Sequence, residues 1–202
     1  MRTLVAAAYP PEIEGLTELL PGAMARGRVV ARAVGIGLVE ASAGAERVLA
    51  ETRPGRLILV GTAGSFPGSS LAIGAIVVAA RALLVVREPE YVPAIMPTRV
   101  EADRNLASLC AGILGAPAVS VASPVGVTSS DVEAARLAHG GAEAEQLECF
   151  AVLAAAARAG VPATAILAIS NRVGSSGAAE WRQHREAAEQ AALQAVARLL
   201  QD

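Results

Sequence analysis

The chain predicts an α/β fold, a single-domain three-layer α/β/α sandwich with a mixed, mostly parallel central sheet. Short apolar runs rich in β-branched residues alternate with longer stretches of helical periodicity, the pattern that places helices on both faces of a parallel sheet. With 202 residues, 53% of them hydrophobic, the chain has length for one sizeable core and little for a second. The run Ala165-Ile166-Leu167-Ala168-Ile169-Ser170-Asn171 reads as a buried strand stopping on a polar amide. Open α/β sheets bind ligands beyond the carboxyl ends of their strands.

Thr3 to Ala8 makes the first buried strand, and Pro10-Pro11 opens a helical pattern through Ile13, Leu16, Leu19 and Leu20 that stops at Pro21-Gly22. Arg28 to Val34 is the second strand. Gly35-Ile36-Gly37 then turns the chain into a helix over about Val39 to Glu51, and Arg56 to Val60 is a strand ending in Gly61-Thr62-Ala63-Gly64. Ala75 to Val86 supplies one long bent strand or two short ones. Prolines and charges from Arg87 to Thr98 make a long loop, a lid or an interface arm.

Asn105 to Leu114 is helical, Ala118 to Ala122 extended, and Ser130 to Leu137 helical with Ser129 or Ser130 as N-cap. A helix from Cys149 to Ala159, a strand from Ala163 to Ser170, a Gly/Ser loop and a helix from about Ala179 to Leu200 complete the chain. Without repeat or linker, residues 1–202 form one domain.

Charge and composition exclude whole classes of function. A net charge of -2 leaves no basic footprint for nucleic acid or an anionic membrane, and 2% aromatic residues cannot build a base-stacking platform. The chain contains no lysine, which removes Schiff-base chemistry and a Walker-type phosphate lysine. Cys110 and Cys149 lie far apart in apolar runs and read as buried thiols of a reducing compartment. Together with His139 and His184, both expected at the surface, they lack the spacing of a metal site. Pro10, Pro11 and Glu12 interrupt any signal-peptide core, and the two longest apolar stretches are broken by Gly74 and Arg81 or by Arg158, Gly160 and Pro162. A cytoplasmic protein without cofactor or metal, acting on a small molecule, is the expectation.

Val34-Gly35-Ile36-Gly37 has the start of a dinucleotide fingerprint, but its third glycine is absent unless Ala41 substitutes, and no acidic residue ends the next strand. A tight strand-to-helix turn explains it equally. Gly61-Thr62-Ala63-Gly64 is either a cradle of backbone N–H groups with one hydroxyl or a plain glycine turn. Glu12 and Glu14 either favour a helix N-terminus or are delivered to the ligand edge by the first strand. Asn171 is either a turn residue or a ligand contact.

In this order, Pro11-Glu12-Ile13-Glu14, Gly35 to Ala41, Gly61-Thr62-Ala63-Gly64, Leu147-Glu148 and Ile169-Ser170-Asn171 resemble the landmarks of the nucleoside phosphorylase and nucleosidase superfamily over nearly the whole chain. Gly61 through Gly68, Ala168 through Val173 and Trp181 are most similar to the futalosine hydrolases. The resemblance implies an N-ribosyl hydrolase that releases hypoxanthine from a purine nucleoside such as futalosine in menaquinone biosynthesis, and a homodimer or larger homo-oligomer. It makes Glu12 the residue that activates water and Glu148 the receiver of the ribose hydroxyls. It puts Leu147 against the sugar, Thr62 near the nucleophile, Val127 along the base pocket through its backbone, and Asn171 at the purine, where an amide suits a 6-oxo group as aspartate suits an exocyclic amine.

Many phosphorylases of the superfamily carry an arginine where Leu59 stands, and their glycine-and-arginine phosphate motif is replaced here by Ala6 through Pro11. Water is therefore the expected nucleophile, with a phosphate-dependent purine nucleoside phosphorylase and a non-catalytic nucleoside-binding paralogue as alternatives. Gln146 replaces a common glutamate, and the loop Ser123 through Val127 lacks a stacking aromatic, which the segment around Tyr91 would supply across a subunit boundary. A substrate carboxylate would go to Arg172, Arg99 or Arg87.

Overall fold

The computed structural model describes residues 1–85 and 97–201. Among them lie eight strands, β1 (Thr3–Ala7), β2 (Val29–Ala33), β3 (Arg56–Ser65), β4 (Ile76–Leu84), β5 (Arg99–Glu101), β6 (Ala118–Ser123), β7 (Ala144–Glu145) and β8 (Ala163–Arg172). Between them run α1 (Leu16–Leu19), α2 (Pro21–Ala25), α3 (Gly37–Thr52), α4 (Arg104–Leu114), α5 (Asp131–His139), α6 (Cys149–Arg158) and α7 (Gly177–Leu200).

One mixed sheet contains all eight strands. β1 pairs in parallel with β2 and β3, and β3 pairs in parallel with β8. β4 runs antiparallel to β8 and parallel to β6. The two-residue β7 bridges β6 and β3, so β3, β8, β4, β6 and β7 close into a ring. Helices α3 and α6 cover one face, while α4 and α7 cover the other.

β8 sits between two partners with helices above and below it, and Ala165 to Ser170 is completely buried. Strands buried on both faces lose the polar alternation of half-exposed ones, which is why this segment is apolar without interruption. Ile166, Leu167 and Ile169 each contribute roughly 1.5–3 kcal/mol by leaving water. Thr164, buried just before this run, has its hydroxyl satisfied by the carbonyl of Ala79 at 2.8 Å.

Several elements differ from their sequence expectation. Pro21 starts a helix of its own rather than only ending one, because proline fits the first helical position, where its missing N–H has no partner to lose. Gly61-Thr62-Ala63-Gly64 is no turn: β3 continues through it to Ser65, held by β8 on one edge. β8 likewise passes Ser170 and includes Asn171 and Arg172. β4 is a single strand with a bulge between Ala79 and Arg81. β5 and β7, too short to carry a hydrophobic period, were not legible as strands. The expected loop at 87–98 lies outside the described residues as far as Met96, and Thr98 accepts from the Leu84 N–H at 2.8 Å. Gly35 and Gly37 do make the strand-to-helix turn, with φ of 109° and 81° that only glycine adopts freely. Ser130 is the N-cap of α5, accepting from Glu133 N.

Candidate active site

At the carboxyl ends of β1, β3 and β8 lies a cavity of about 540 Å³, and all six residues expected at a site line it: Glu12, Thr62, Val127, Leu147, Glu148 and Asn171. They come from five separate segments, and local geometry explains how each arrives.

After β1, Pro10 and Pro11 preset φ for a 3₁₀ turn spanning Pro10–Glu12. This turn curls the chain back so that Glu12 Oε2 accepts the Ala8 N–H at 2.9 Å. Glu12 is only 4% exposed and lies against Gly61, where an added Cβ would come within 2.7 Å of Oε1. Burial, which disfavours charge, pushes the Glu12 carboxyl up to about 8, with the carboxylates of Glu148 and Glu189 adding to the shift and the Ala8 N–H opposing it.

Glu148 occupies the N-cap position of α6 but makes no capping bond. Its Oε1 instead accepts from Gly37 N at 2.7 Å, at the first turn of α3, where the helix dipole favours an anion. The hydroxyl of Ser123 takes over at the start of α6, accepting from Phe150 N at 3.0 Å and donating to Gln146 O at 2.6 Å. Gln146 fixes Glu148 twice: its Nε2 donates to Glu148 Oε2, and its Oε1 accepts from Glu148 N at 3.0 Å. A glutamine here holds the carboxylate without adding a like charge beside it. Burial still pushes the Glu148 carboxyl up, as it does Glu145, whose Oε1 accepts from Thr128 N and thereby anchors the loop carrying Val127.

Asn171 reaches the cavity through a register shift. β3 and β8 pair residue for residue up to Ala63 with Ile169, and then Gly64 faces Asn171, leaving Ser170 as the extra residue. Such bulges re-aim side chains. Asn171 Oδ1 accepts from Ser170 Oγ at 2.8 Å and Nδ2 donates to Arg172 O at 2.9 Å. An amide has two N–H donors and two acceptor lone pairs, so these two bonds leave one donor and one acceptor over.

Other cavity residues were not singled out from the sequence as a wall: Tyr9, Glu145, Trp181 and Arg185. Trp181 donates from Nε1 to Thr62 Oγ1 at 3.4 Å, and Tyr9 donates its hydroxyl to Glu189. The phenol is pushed up by its own burial and by this carboxylate. The i, i+4, i+8 spacing of Trp181, Arg185 and Glu189 marks one stripe of α7, a pattern readable in the sequence.

Of the arginines expected to take a carboxylate, the two among the described residues, Arg172 and Arg99, do not line the cavity. Arg172 is exposed and bound by Glu180, whose carboxyl it holds down at about 2. Arg99 pairs with Glu101 on β5, while Arg87 and Tyr91 lie outside the described residues. Leu59 is fully buried in β3. Both cysteines are buried and free. No helix among the described residues is long and apolar enough to cross a membrane.

The family model described as "Phosphorylase superfamily" matches residues 7–202. No curated protein matches the chain in sequence. Among solved structures, the fold is similar to the native futalosine hydrolase of Helicobacter pylori, with a TM-score of 0.88 and 16% identity over 100% of this chain and 97% of that one. It is also similar to the 5′-methylthioadenosine/S-adenosylhomocysteine nucleosidase of Neisseria meningitidis in complex with methylthio-immucillin-A, at 0.86 and 19% over 99% of each chain. The corresponding nucleosidase of Colwellia psychrerythraea, in complex with adenine, gives 0.86 and 20% over 100% and 95%.

Proposed function

This chain belongs to the phosphorylase superfamily, and on that premise we propose that it is an N-ribosyl hydrolase releasing a 6-oxopurine, hypoxanthine, from a purine nucleoside such as futalosine. One observation carries the reading. Two carboxylates and an amide, from positions 12, 148 and 171, line a single cavity of nucleoside size at the carboxyl ends of parallel strands.

In this reading the ionised Glu12 accepts a proton from water as the water oxygen bonds to the ribosyl C1′. The pair of the breaking C1′–N9 bond leaves with the base, whose N7 takes a proton from solvent. Positive charge on the sugar is stabilised by nearby carboxylates, and Asn171 holds the departing base by donating to the 6-oxo group and accepting from N7–H. Glu148, fixed by Gly37 and Gln146, keeps one lone pair on each oxygen for the ribose hydroxyls. Thr62 stands by the water, Leu147 against the sugar and Val127 along the base.

Water is favoured over phosphate because, among the described residues, Arg185 supplies the sole cationic side chain lining the cavity, and a phosphate dianion is ordinarily held by a fixed guanidinium fork or several N–H donors beside the reacting carbon. The same reading makes residues 1–202 one domain of a cytoplasmic enzyme acting as a homodimer or larger homo-oligomer. Ile36 and Val127 at the cavity, with Val39, Val125 and Val132 beside them in the chain, are exposed and offer a second copy an apolar surface.

The test is chromatographic: hypoxanthine or adenine release from futalosine, inosine and methylthioadenosine, with and without phosphate. Free sugar at a phosphate-independent rate, fastest from a 6-oxopurine nucleoside, is expected. Ribose 1-phosphate formation would replace the hydrolase by a phosphorylase. Purine binding without release from any nucleoside would make the chain a binding paralogue.

A further inference from the structure

Gly64 is the middle of a row that crosses three strands. On one side it pairs with Glu145 of β7, and on the other with Asn171 of β8. Residues directly opposite each other in a sheet present their side chains to the same face. The Glu145 carboxyl and the Asn171 amide therefore enter the cavity on either side of a residue that has no side chain, and all three residues line it. Two strand spacings put their backbones roughly 10 Å apart. An added Cβ on Gly64 would come within 2.9 Å of Asn171 Nδ2, so the amide does lean over the glycine.

One Glu145 oxygen is engaged and the other is open. The residue is 7% exposed, and its Oε1 accepts from Thr128 N at 3.1 Å. Oε2 is buried and has no hydrogen-bond partner among the described residues. Buried polar atoms in folded proteins are nearly always paired, so an open acceptor in a cavity wall calls for a donor on the ligand. Burial pushes the Glu145 carboxyl up, and a donor on Oε2 would offset this by favouring the ionised form. Across Gly64, Asn171 keeps one donor and one acceptor beyond its bonds to Ser170 and Arg172.

We propose that Glu145 is a specificity-determining residue whose Oε2 accepts the N1–H of a 6-oxopurine, while Asn171 holds the adjoining O6 and N7 edge. The assignment rests on the reading above for the place of the purine at Asn171, and adds a second contact from another strand. A 6-oxopurine carries hydrogen on N1 and donates there. The N1 of adenine is a bare lone pair and would face the carboxylate oxygen with like polarity, leaving both acceptors unpaired. Discrimination between the two bases is thus divided, with Glu145 reading N1 and Asn171 reading position 6.

Free bases test the proposal without depending on turnover. Calorimetric Kd is measured for hypoxanthine, 1-methylhypoxanthine and adenine with the wild type and Glu145→Gln, melting curves confirming that the variant folds. The wild type should bind hypoxanthine roughly 10–100-fold more tightly than 1-methylhypoxanthine, the range of one hydrogen bond to a charged group. In Glu145→Gln the amide oxygen can still accept from Thr128 N, which turns an NH₂ donor toward N1. Hypoxanthine should then weaken by a similar factor while adenine does not, and its advantage over 1-methylhypoxanthine should largely vanish. A wild type that binds hypoxanthine and its 1-methyl derivative equally overturns the proposal, and this comparison needs no variant. So does a variant that weakens all three bases by one factor, the outcome of a role confined to anchoring Thr128. Failure of every base to bind would sink the placing of a purine at Asn171 and this contact with it, whereas base binding without release from any nucleoside would sink only the hydrolase reading, the Kd ratios still deciding Glu145.

Discussion

Replacing Glu12 by glutamine tests catalysis and stability through one proton. In the native chain the Glu12 carboxyl is pushed up to about 8 from the ordinary 4.5, chiefly by burial, and Glu148 and Glu189 face it with like charge. The folded state therefore holds a proton that the unfolded chain has already released. The benefit is fully present below about pH 4.5 and is lost as pH rises through about 8. A shift of some 3.5 units, at about 1.4 kcal/mol per unit, sets an upper bound of about 5 kcal/mol on the loss.

Glutamine cannot ionise, so Glu12→Gln should match the wild type near pH 5 and exceed its unfolding free energy by several kcal/mol near pH 9. Denaturant titrations at both values measure this, and the variant-minus-wild-type difference removes most of the separate contributions of Glu145 and Tyr9. Activity should move oppositely. If ionised Glu12 accepts the proton from water, wild-type kcat/KM rises about tenfold per pH unit below about 8 and levels above it. Glu12→Gln should lose roughly 10²–10⁴-fold in kcat and that limb of the profile with it. Parallel stability curves from pH 5 to 9, or a variant turning over at the wild-type rate, would refute the reasoning.

Asn171→Asp should shift preference from 6-oxo toward 6-amino purines, because the wrong base leaves a buried donor or acceptor unpaired at a cost of about 1–3 kcal/mol. Competition between inosine and adenosine reads the ratio, and an unchanged ratio counts against Asn171 at the base. Gly61→Ala would place a methyl 2.7 Å from Glu12 Oε1. Since that atom is the free end of a side chain, the melting temperature should change little while kcat/KM falls about 100-fold, as misplacement of a reacting group by about 1 Å does. A Gly61→Ala enzyme with normal kinetics would mean that the Glu12 carboxylate need not stand there.

Where hydrophobic period and turn chemistry agree, the elements were legible: β1, β8, α3 and the positive-φ turn at Gly35 and Gly37 follow from residue type alone. β5 and β7, of three and two residues, exist only because neighbouring strands present open edges to them. The glycines of Gly61-Thr62-Ala63-Gly64 suggested a turn or a backbone cradle, yet pairing with β8 keeps them extended, and the missing side chains make room for Glu12 at Gly61 and for Asn171 and Val173 at Gly64. Gln146, a departure from its relatives by residue type, is in place the clamp on Glu148.

Residue identity and order alone determined the α/β class, the order of the longer strands and helices and the three polar groups to watch, because burial and turns are local demands on each segment. Tertiary structure decided the rest: the Ser170 bulge that aims Asn171, the raised Glu12 carboxyl, and the placing of Arg185 inside the cavity and Arg172 outside it. Each of these depends on which distant groups come within a few ångströms, and no spacing along the chain encodes such a distance.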